Sequence, residues 1–291
     1  MLLQERQYLQ LIRRILKYGE IQNTRNGTTQ TLIGQTMRFS LSDNTLPLLT
    51  TKRVAWKTCL RELLWFIRGQ TNNNILLKEN VNIWAGNASR GFLDRRGLMH
   101  LRENDLGPIY GHQWRFFNAP YIDCDTDYTG QGIDQLMKLT DMLKHKKEKY
   151  SRRLILSAWN PLQIDEMSLP PCHILAQFHV TGEDKLSCSL YQRSGDVGLG
   201  IPFNIASYSF LTHLLAHHCG LKATEFIHCI GNAHIYDNHK SALSEQIKRE
   251  PKPFPKLILQ NYHKNISDYK VKDFKITDYK PADSIYMEMR P

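Results

Sequence analysis

Cys172 stands in the run Leu169-Pro170-Pro171-Cys172-His173, immediately ahead of a segment that alternates apolar and polar residues. Two prolines stiffen the approach and withhold two backbone donors, so the thiol lies at the edge of a rigid element. A sulfur nucleophile needs such a fixed position, and it needs nearby positive charge to hold its thiolate. The next alternating segment closes on Gln192-Arg193-Ser194, and neighbouring strands would carry that arginine toward the sulfur. On spacing alone, a buried structural cysteine before a strand is the commoner reading and the catalytic one the rarer. The other five cysteines (Cys59, Cys124, Cys188, Cys219, Cys229) form no C-x-x-C pair and read as reduced thiols, most of them packed as small hydrophobes.

The elements that must position these groups are legible in part. Leu9, Ile12 and Leu16 recur at helical spacing before Gly19, and a polar turn spans Asn23 to Gly27. A second helix is expected from Ala55 to Arg68. Ile174 to Val180 and Lys185 to Tyr191 read as strands joined by a hairpin at Thr181-Gly182-Glu183-Asp184. A Gly-rich loop, Gly195 to Gly200, leads to a buried amphipathic helix that ends at Cys219-Gly220. Phe226 to Tyr236 reads as a further strand, a charged helix follows and stops before Pro251, and Ile285 to Met289 alternates again. Leu93 to Tyr128 shows no period and is expected to be irregular. Strands and helices in this irregular order predict an α+β fold, one domain over 1–291, with a large mixed or antiparallel sheet flanked by helices.

The whole chain sets limits. Of its 291 residues 41% are hydrophobic and 23% charged, an ordinary globular balance. The first residues meet charge at once, so secretion is not expected, and no apolar run approaches the roughly 20 residues of a membrane helix. The formal net charge of +10 favours anionic partners. The densest basic stretch, Lys144 to Lys149 with Arg152-Arg153, fits a solvated helix end or, as a secondary role, an RNA contact.

Longer motifs go further. Pro-Cys-His at 171–173, Tyr191-Gln192-Arg193-Ser194-Gly195-Asp196 and Gly198-Leu199-Gly200-Ile201-Pro202-Phe203-Asn204 resemble the thymidylate synthase family in order and spacing. So do His234-Ile235-Tyr236, Glu62-Leu63-Leu64-Trp65-Phe66, Gly107-Pro108-Ile109-Tyr110-Gly111 and Pro47 to Lys52. The likeness runs from about Gln7 to Met289.

That resemblance implies reductive methylation of dUMP to dTMP with methylenetetrahydrofolate as co-substrate and no metal. Cys172 would add to carbon 6 of the pyrimidine, with Arg193 stabilising its thiolate and Glu62 and Tyr110 handling protons. Arg25, Arg193 and Ser194 would hold the phosphate, joined by Arg152 and Arg153 from the second subunit of an obligate homodimer. His234 and Tyr236 would take the deoxyribose hydroxyl, while His173, Gln192 and Asp196 complete the substrate list. Asn204 would select uracil, since an amide matches both the O4 acceptor and the N3 donor. The folate side would comprise Trp84, Asn87, Asp196, Leu199, Gly200, Phe203 and Arg290. A cytoplasmic enzyme is implied, with the nucleus as a further site; dihydrofolate would be recycled by another protein.

Against the family pattern the chain carries Asn26-Gly27-Thr28-Thr29-Gln30 after Arg25, Ala85 after Trp84, Ser151 before the paired arginines and Asn232 before His234. It ends Met289-Arg290-Pro291, which predicts altered folate affinity or closure. A related pyrimidine hydroxymethylase, with water replacing hydride, is the alternative chemistry.

Overall fold

The computed structural model describes residues 4–24 and 26–289, so Arg25 and Arg290 lie outside the described residues. Six strands form one sheet: β1 (Glu20–Thr24), β2 (Gly27–Ser40), β3 (Ile155–Ser157), β4 (His173–Thr181), β5 (Lys185–Asp196) and β6 (Lys222–Tyr236). Their order is β1-β2-β6-β5-β4-β3. Every neighbouring pair is antiparallel except β5–β6, which is parallel. A second, two-stranded antiparallel pair joins β7 (Lys256–Leu259) to β8 (Phe274–Thr277).

The described helices are α1 (Arg6–Tyr18), α2 (Trp56–Ile67), α3 (Asn73–Lys78), α4 (Ala85–Ala88), α5 (Arg90–Arg95), α6 (Tyr110–Phe116), α7 (Gln135–Lys144), α8 (Gly200–Cys219) and α9 (Lys240–Gln246). Parallel strands cannot be joined by a hairpin, and α8 makes the crossover between β5 and β6. It packs on both strands, and α2 packs on it. Burial is nearly complete around α8, so it is a core helix and not the amphipathic one that its polar residues suggest. Two of those residues are satisfied locally: Ser209 donates to the carbonyl of Ile205 and Thr212 to that of Tyr208, each at 2.7 Å. Gly220 ends the helix at φ 69°, a left-handed cap that glycine adopts without a Cβ penalty.

The sheet is mixed and helix-flanked, as expected, and the β4–β5 hairpin turns where the sequence places it, with Thr181 opposite Lys185. Two expectations fail. The segment from Leu93 to Tyr128 is not wholly irregular: it holds the end of α5 and the whole of α6. Their short length hides their period. The tail from Ile285 to Met289 forms no strand. Its alternation reflects Met287 packing inward among exposed neighbours, without a partner strand.

One face of the sheet is buried. Phe226, His228 and Ile230 of β6 point to the core, as do Leu186, Cys188, Leu190 and Gln192 of β5 and Ala176, Phe178 and Val180 of β4. The opposite face presents a cross-strand row of Leu175, Tyr191, Cys229 and Thr36. Tyr191 is 48% exposed, and Ile33 and Ile155 are also exposed.

Candidate active site

Strand direction gathers the site. Because β5 and β6 are parallel, their C-terminal ends lie side by side, with Ser194 opposite Asn232 and Asp196 opposite His234. Because β4 runs antiparallel to β5, its first residue pairs at that same end: His173 lies opposite Gln192, and Cys172 precedes it. The register shifts between His173 and Leu175, an irregularity of the kind that re-aims side chains at the start of a strand. The α8 N-terminus follows directly, bringing Leu199, Gly200, Phe203 and Asn204 to the same end.

Arg193 clamps the Cys172 segment. Its backbone N–H donates to the Cys172 carbonyl at 2.9 Å. Its guanidinium donates to the carbonyls of Pro171 and Pro170 at 2.8 and 2.9 Å. Neutral carbonyls, not a carboxylate, hold this cation, so its charge remains available beside the sulfur. Burial pushes the Cys172 thiol above its ordinary pKa, and Arg193 pulls it down less strongly.

Tyr110 on α6 accepts hydrogen bonds from the Cys172 and His173 backbone N–H groups at 2.7 and 3.4 Å. Burial, aided by Cys172, raises its hydroxyl well above the usual range. Its ring packs on Phe66 at 4.8 Å and on His173 at 5.1 Å. Glu62 on α2 accepts from the Trp84 indole N–H at 2.7 Å. Burial lifts the Glu62 carboxyl to about 7, with that hydrogen bond opposing. It thus stands where one carboxyl can take or give a proton near neutrality.

Behind the sulfur runs a chain of side-chain hydrogen bonds. His228 meets Gln192 at 2.8 Å, Gln192 meets Asn204 at 2.8 Å, and Asn204 meets His173 at 2.6 Å. Burial lowers His173 to about 4 and His228 to about 3, so both rings are neutral.

Beside Asn204, Asp196 accepts from the Gly198 N–H at 2.8 Å and lies 3.5 Å from His239. His239 also meets the Glu288 carbonyl at 2.7 Å, which ties the tail to the Asp196 loop. Burial lowers the His239 pKa, but Asp196 and that carbonyl outweigh it and the net shift is upward. Buried Lys52 donates to the Gly198 carbonyl. Its ammonium is lowered by burial to about 8, against the pull of Asp196. On β6, Asn232 meets His234 Nδ1 at 3.0 Å, and His234 lies edge-on to Tyr236 at 5.3 Å. Burial lowers the His234 pKa, with Asp196 opposing.

On the side of α4, Trp84 and Asn87 are buried, and Asn87 Nδ2 has no hydrogen-bond partner among the described residues. A buried amide donor left open in this way suits a ligand acceptor. The departures are mild in structure: Ala85 is exposed on α4, and Ser151 Oγ accepts from the Arg153 N–H at 3.1 Å.

Two residues stand apart. Arg152 and Arg153 precede β3, whose Ile155 pairs with Gln177, four residues beyond His173. At about 3.3 Å per residue they lie roughly 20 Å from Cys172 within one chain. Both are exposed, and neither side chain has a polar partner among the described residues. Conversely, Lys52, His228 and His239 join the cluster although the sequence assigns none of them a role, Lys52 standing only as the end of the Pro47–Lys52 motif. Among the described residues no group of three or more His, Cys, Asp or Glu forms a metal cage. No described helix is long and apolar enough to cross a membrane.

Comparison with known proteins shows the family. The family model described as thymidylate synthase matches residues 6–290. A probable thymidylate synthase of Schizosaccharomyces pombe is 53% identical over 98% of this chain, which spans 47% of that protein. The human thymidylate synthase is 52% identical over 98% of the chain and 90% of its own length. For the Saccharomyces cerevisiae thymidylate synthase the values are 50%, 98% and 97%. With a sulfur, an arginine, an amide and a carboxyl gathered at one sheet end, and with half its residues shared along nearly the whole length, this chain belongs to the thymidylate synthase family.

Proposed function

We propose that the chain converts dUMP to dTMP by reductive methylation, using one catalytic domain over 1–291. The observation that carries this reading is the link from Asn204 through His173 to the Cys172 segment, which puts a base-reading amide and a nucleophile in one frame. The Cys172 thiol loses its proton, and its sulfur bonds to carbon 6 of the pyrimidine. The ring electron pair then moves toward carbon 5 and O4. Substrate phosphate draws in Ser194, Arg193 and Arg25, while Asn204 accepts from N3–H and donates to O4. His234 and Tyr236 take the deoxyribose hydroxyl. Glu62, beside Trp84 and at about 7, accepts and returns protons through ordered water, and Tyr110 completes that path.

Methylenetetrahydrofolate supplies the one-carbon unit and the hydride and leaves as dihydrofolate. The open Asn87 donor, the Trp84 and Phe203 rings, Leu199, Gly200 and Asp196 form the surface that would hold it, with Arg290 beyond the described residues. His239 and Glu288 brace that surface from the tail.

The working unit is a homodimer. The exposed row on the outer sheet face is an apolar surface of the kind that pairs with a second copy, and Arg152 and Arg153 serve the partner's phosphate. The basic run at the end of α7 is a solvated helix end: Lys144 meets His218 at 2.9 Å and Lys149 meets the Glu183 carbonyl. RNA contact is at most a secondary role, and residence is cytoplasmic, extending to the nucleus. The deciding experiment measures dTMP and dihydrofolate formed from dUMP and methylenetetrahydrofolate, with Cys172→Ala beside the wild type. Hydroxymethyl-dUMP with tetrahydrofolate, or equal activity in the variant, would overturn it.

A further inference from the structure

We propose that His228, a buried residue on β6, is a positioning residue that fixes which pyrimidine Asn204 reads. The Ser194 backbone carbonyl can only accept, and Gln192 reaches it at 2.9 Å. The Gln192 atom at that contact must therefore be its amide nitrogen. That choice leaves Gln192 Oε1 facing His228 Nε2 at 2.8 Å, so His228 must carry its proton on Nε2. His228 Nδ1 is buried with no hydrogen-bond partner among the described residues, so none of them holds the ring in the other tautomer.

The same polarity propagates forward. Gln192 Nε2 donates to Asn204 at 2.8 Å, so that Asn204 atom is the oxygen. Asn204 Nδ2 then faces His173 Nε2 at 2.6 Å, and His173 must accept there, with its proton on Nδ1. Burial keeps both imidazoles uncharged, so neither end of the chain can reverse by gaining a proton near neutral pH.

An asparagine amide turned by 180° exchanges its donor and acceptor. In the orientation fixed here, the second lone pair of Oδ1 and the second hydrogen of Nδ2 match uracil N3–H and O4. Turned over, the same two positions would match the N3 acceptor and the amino group of cytosine. Discrimination between two bases that differ by one hydrogen-bonding edge thus depends on what prevents the amide from turning. His228 supplies the Nε2–H that occupies Gln192 Oε1, so Gln192 cannot offer its oxygen to Asn204 without stranding two buried groups.

This inference rests on Asn204 reading the base, and the test separates the two. The full-length enzyme is assayed for kcat/KM with dUMP and for competition by dCMP, as wild type, His228→Leu, His228→Gln and Asn204→Asp, with melting temperatures recorded. His228→Leu should lower kcat/KM for dUMP and narrow the preference for dUMP over dCMP, each by about tenfold. His228→Gln, which keeps an N–H donor, should recover most of the preference. A His228→Leu enzyme that melts earlier but keeps its preference within about twofold has lost packing only, and the proposal fails. An Asn204→Asp enzyme with unchanged preference removes the base-reading premise instead, and the proposal falls with it. Should the leucine variant not fold, imidazole nitrogen-15 shifts of the wild type decide: Nε2–H at His228 with Nδ1–H at His173 supports the chain, and either opposite tautomer overturns it.

Discussion

Two arginine sites in this molecule are held in opposite ways. Arg193 is fixed by two proline carbonyls at 2.8 and 2.9 Å, with its own N–H on the Cys172 carbonyl. Arg152 and Arg153 stand exposed before β3 with no side-chain partner among the described residues. One cation is ordered before any ligand arrives; the other pair must be ordered by something outside the chain. If the exposed pair serves a second copy, as proposed, one part of the anion site is built by the chain alone and the other awaits assembly.

That contrast can be broken by experiment. Cys172→Ala should reduce turnover by at least about 10⁴-fold while leaving the melting temperature close to wild type, since a nucleophile and not a packing contact is removed. Full activity in that variant would place the chemistry elsewhere. Arg152→Ala with Arg153→Ala should cost about 10²-fold or more in kcat/KM for dUMP, the scale of lost charge-assisted hydrogen bonds. Mixing those subunits with Cys172→Ala subunits should then regenerate activity, because one site of each mixed dimer receives both an intact sulfur and intact arginines. Failure to regenerate any activity would assign Arg152 and Arg153 to their own chain.

A smaller effect tests the outer face. Tyr191→Lys should weaken dimerisation about 10-fold or more, read by analytical ultracentrifugation across a concentration series. Sedimentation identical to wild type would move the interface to another surface.

The last prediction concerns Glu62, which belongs wholly to the rigid half. Its folded pKa, about 7, exceeds the ordinary 4.5, so the ionised form is disfavoured by folding. Its favourable share is complete below the unfolded value and is lost as pH rises through the folded one. Glu62→Gln should therefore gain stability relative to wild type above pH 7, on the order of 1–3 kcal/mol, and little below pH 4.5. Chemical denaturation at both pH values checks it; equal differences at the two would mean that the carboxyl is not desolvated.

How much of this was legible beforehand follows physical lines. The β4–β5 hairpin and the helices α1, α2 and α8 announce themselves through period and turn residues, because local sequence decides them. The long strand β2 does not: its first half, Gly27 to Thr31, is polar, Gly34 breaks the run, and it is a strand because β1 and β6 pair with it. Cys172 and Arg193 were visible through motif and strand adjacency. Lys52, His228 and His239 were not, since their partners Gly198, Gln192 and Glu288 lie 146, 36 and 49 residues away. No window of sequence reports a contact of that span.

The pairing of β2 with β6 also has a consequence for birth on the ribosome. Ser40 meets Glu225 and Thr29 meets Tyr236, so the sheet's third position stays empty until nearly two hundred further residues have been made. At about 5–20 residues per second, β2 waits roughly 10–40 s for the neighbour that completes its ladder. Until then the backbone groups of β2 that face β6 form an open strand edge, and β6 is the segment whose emergence closes it.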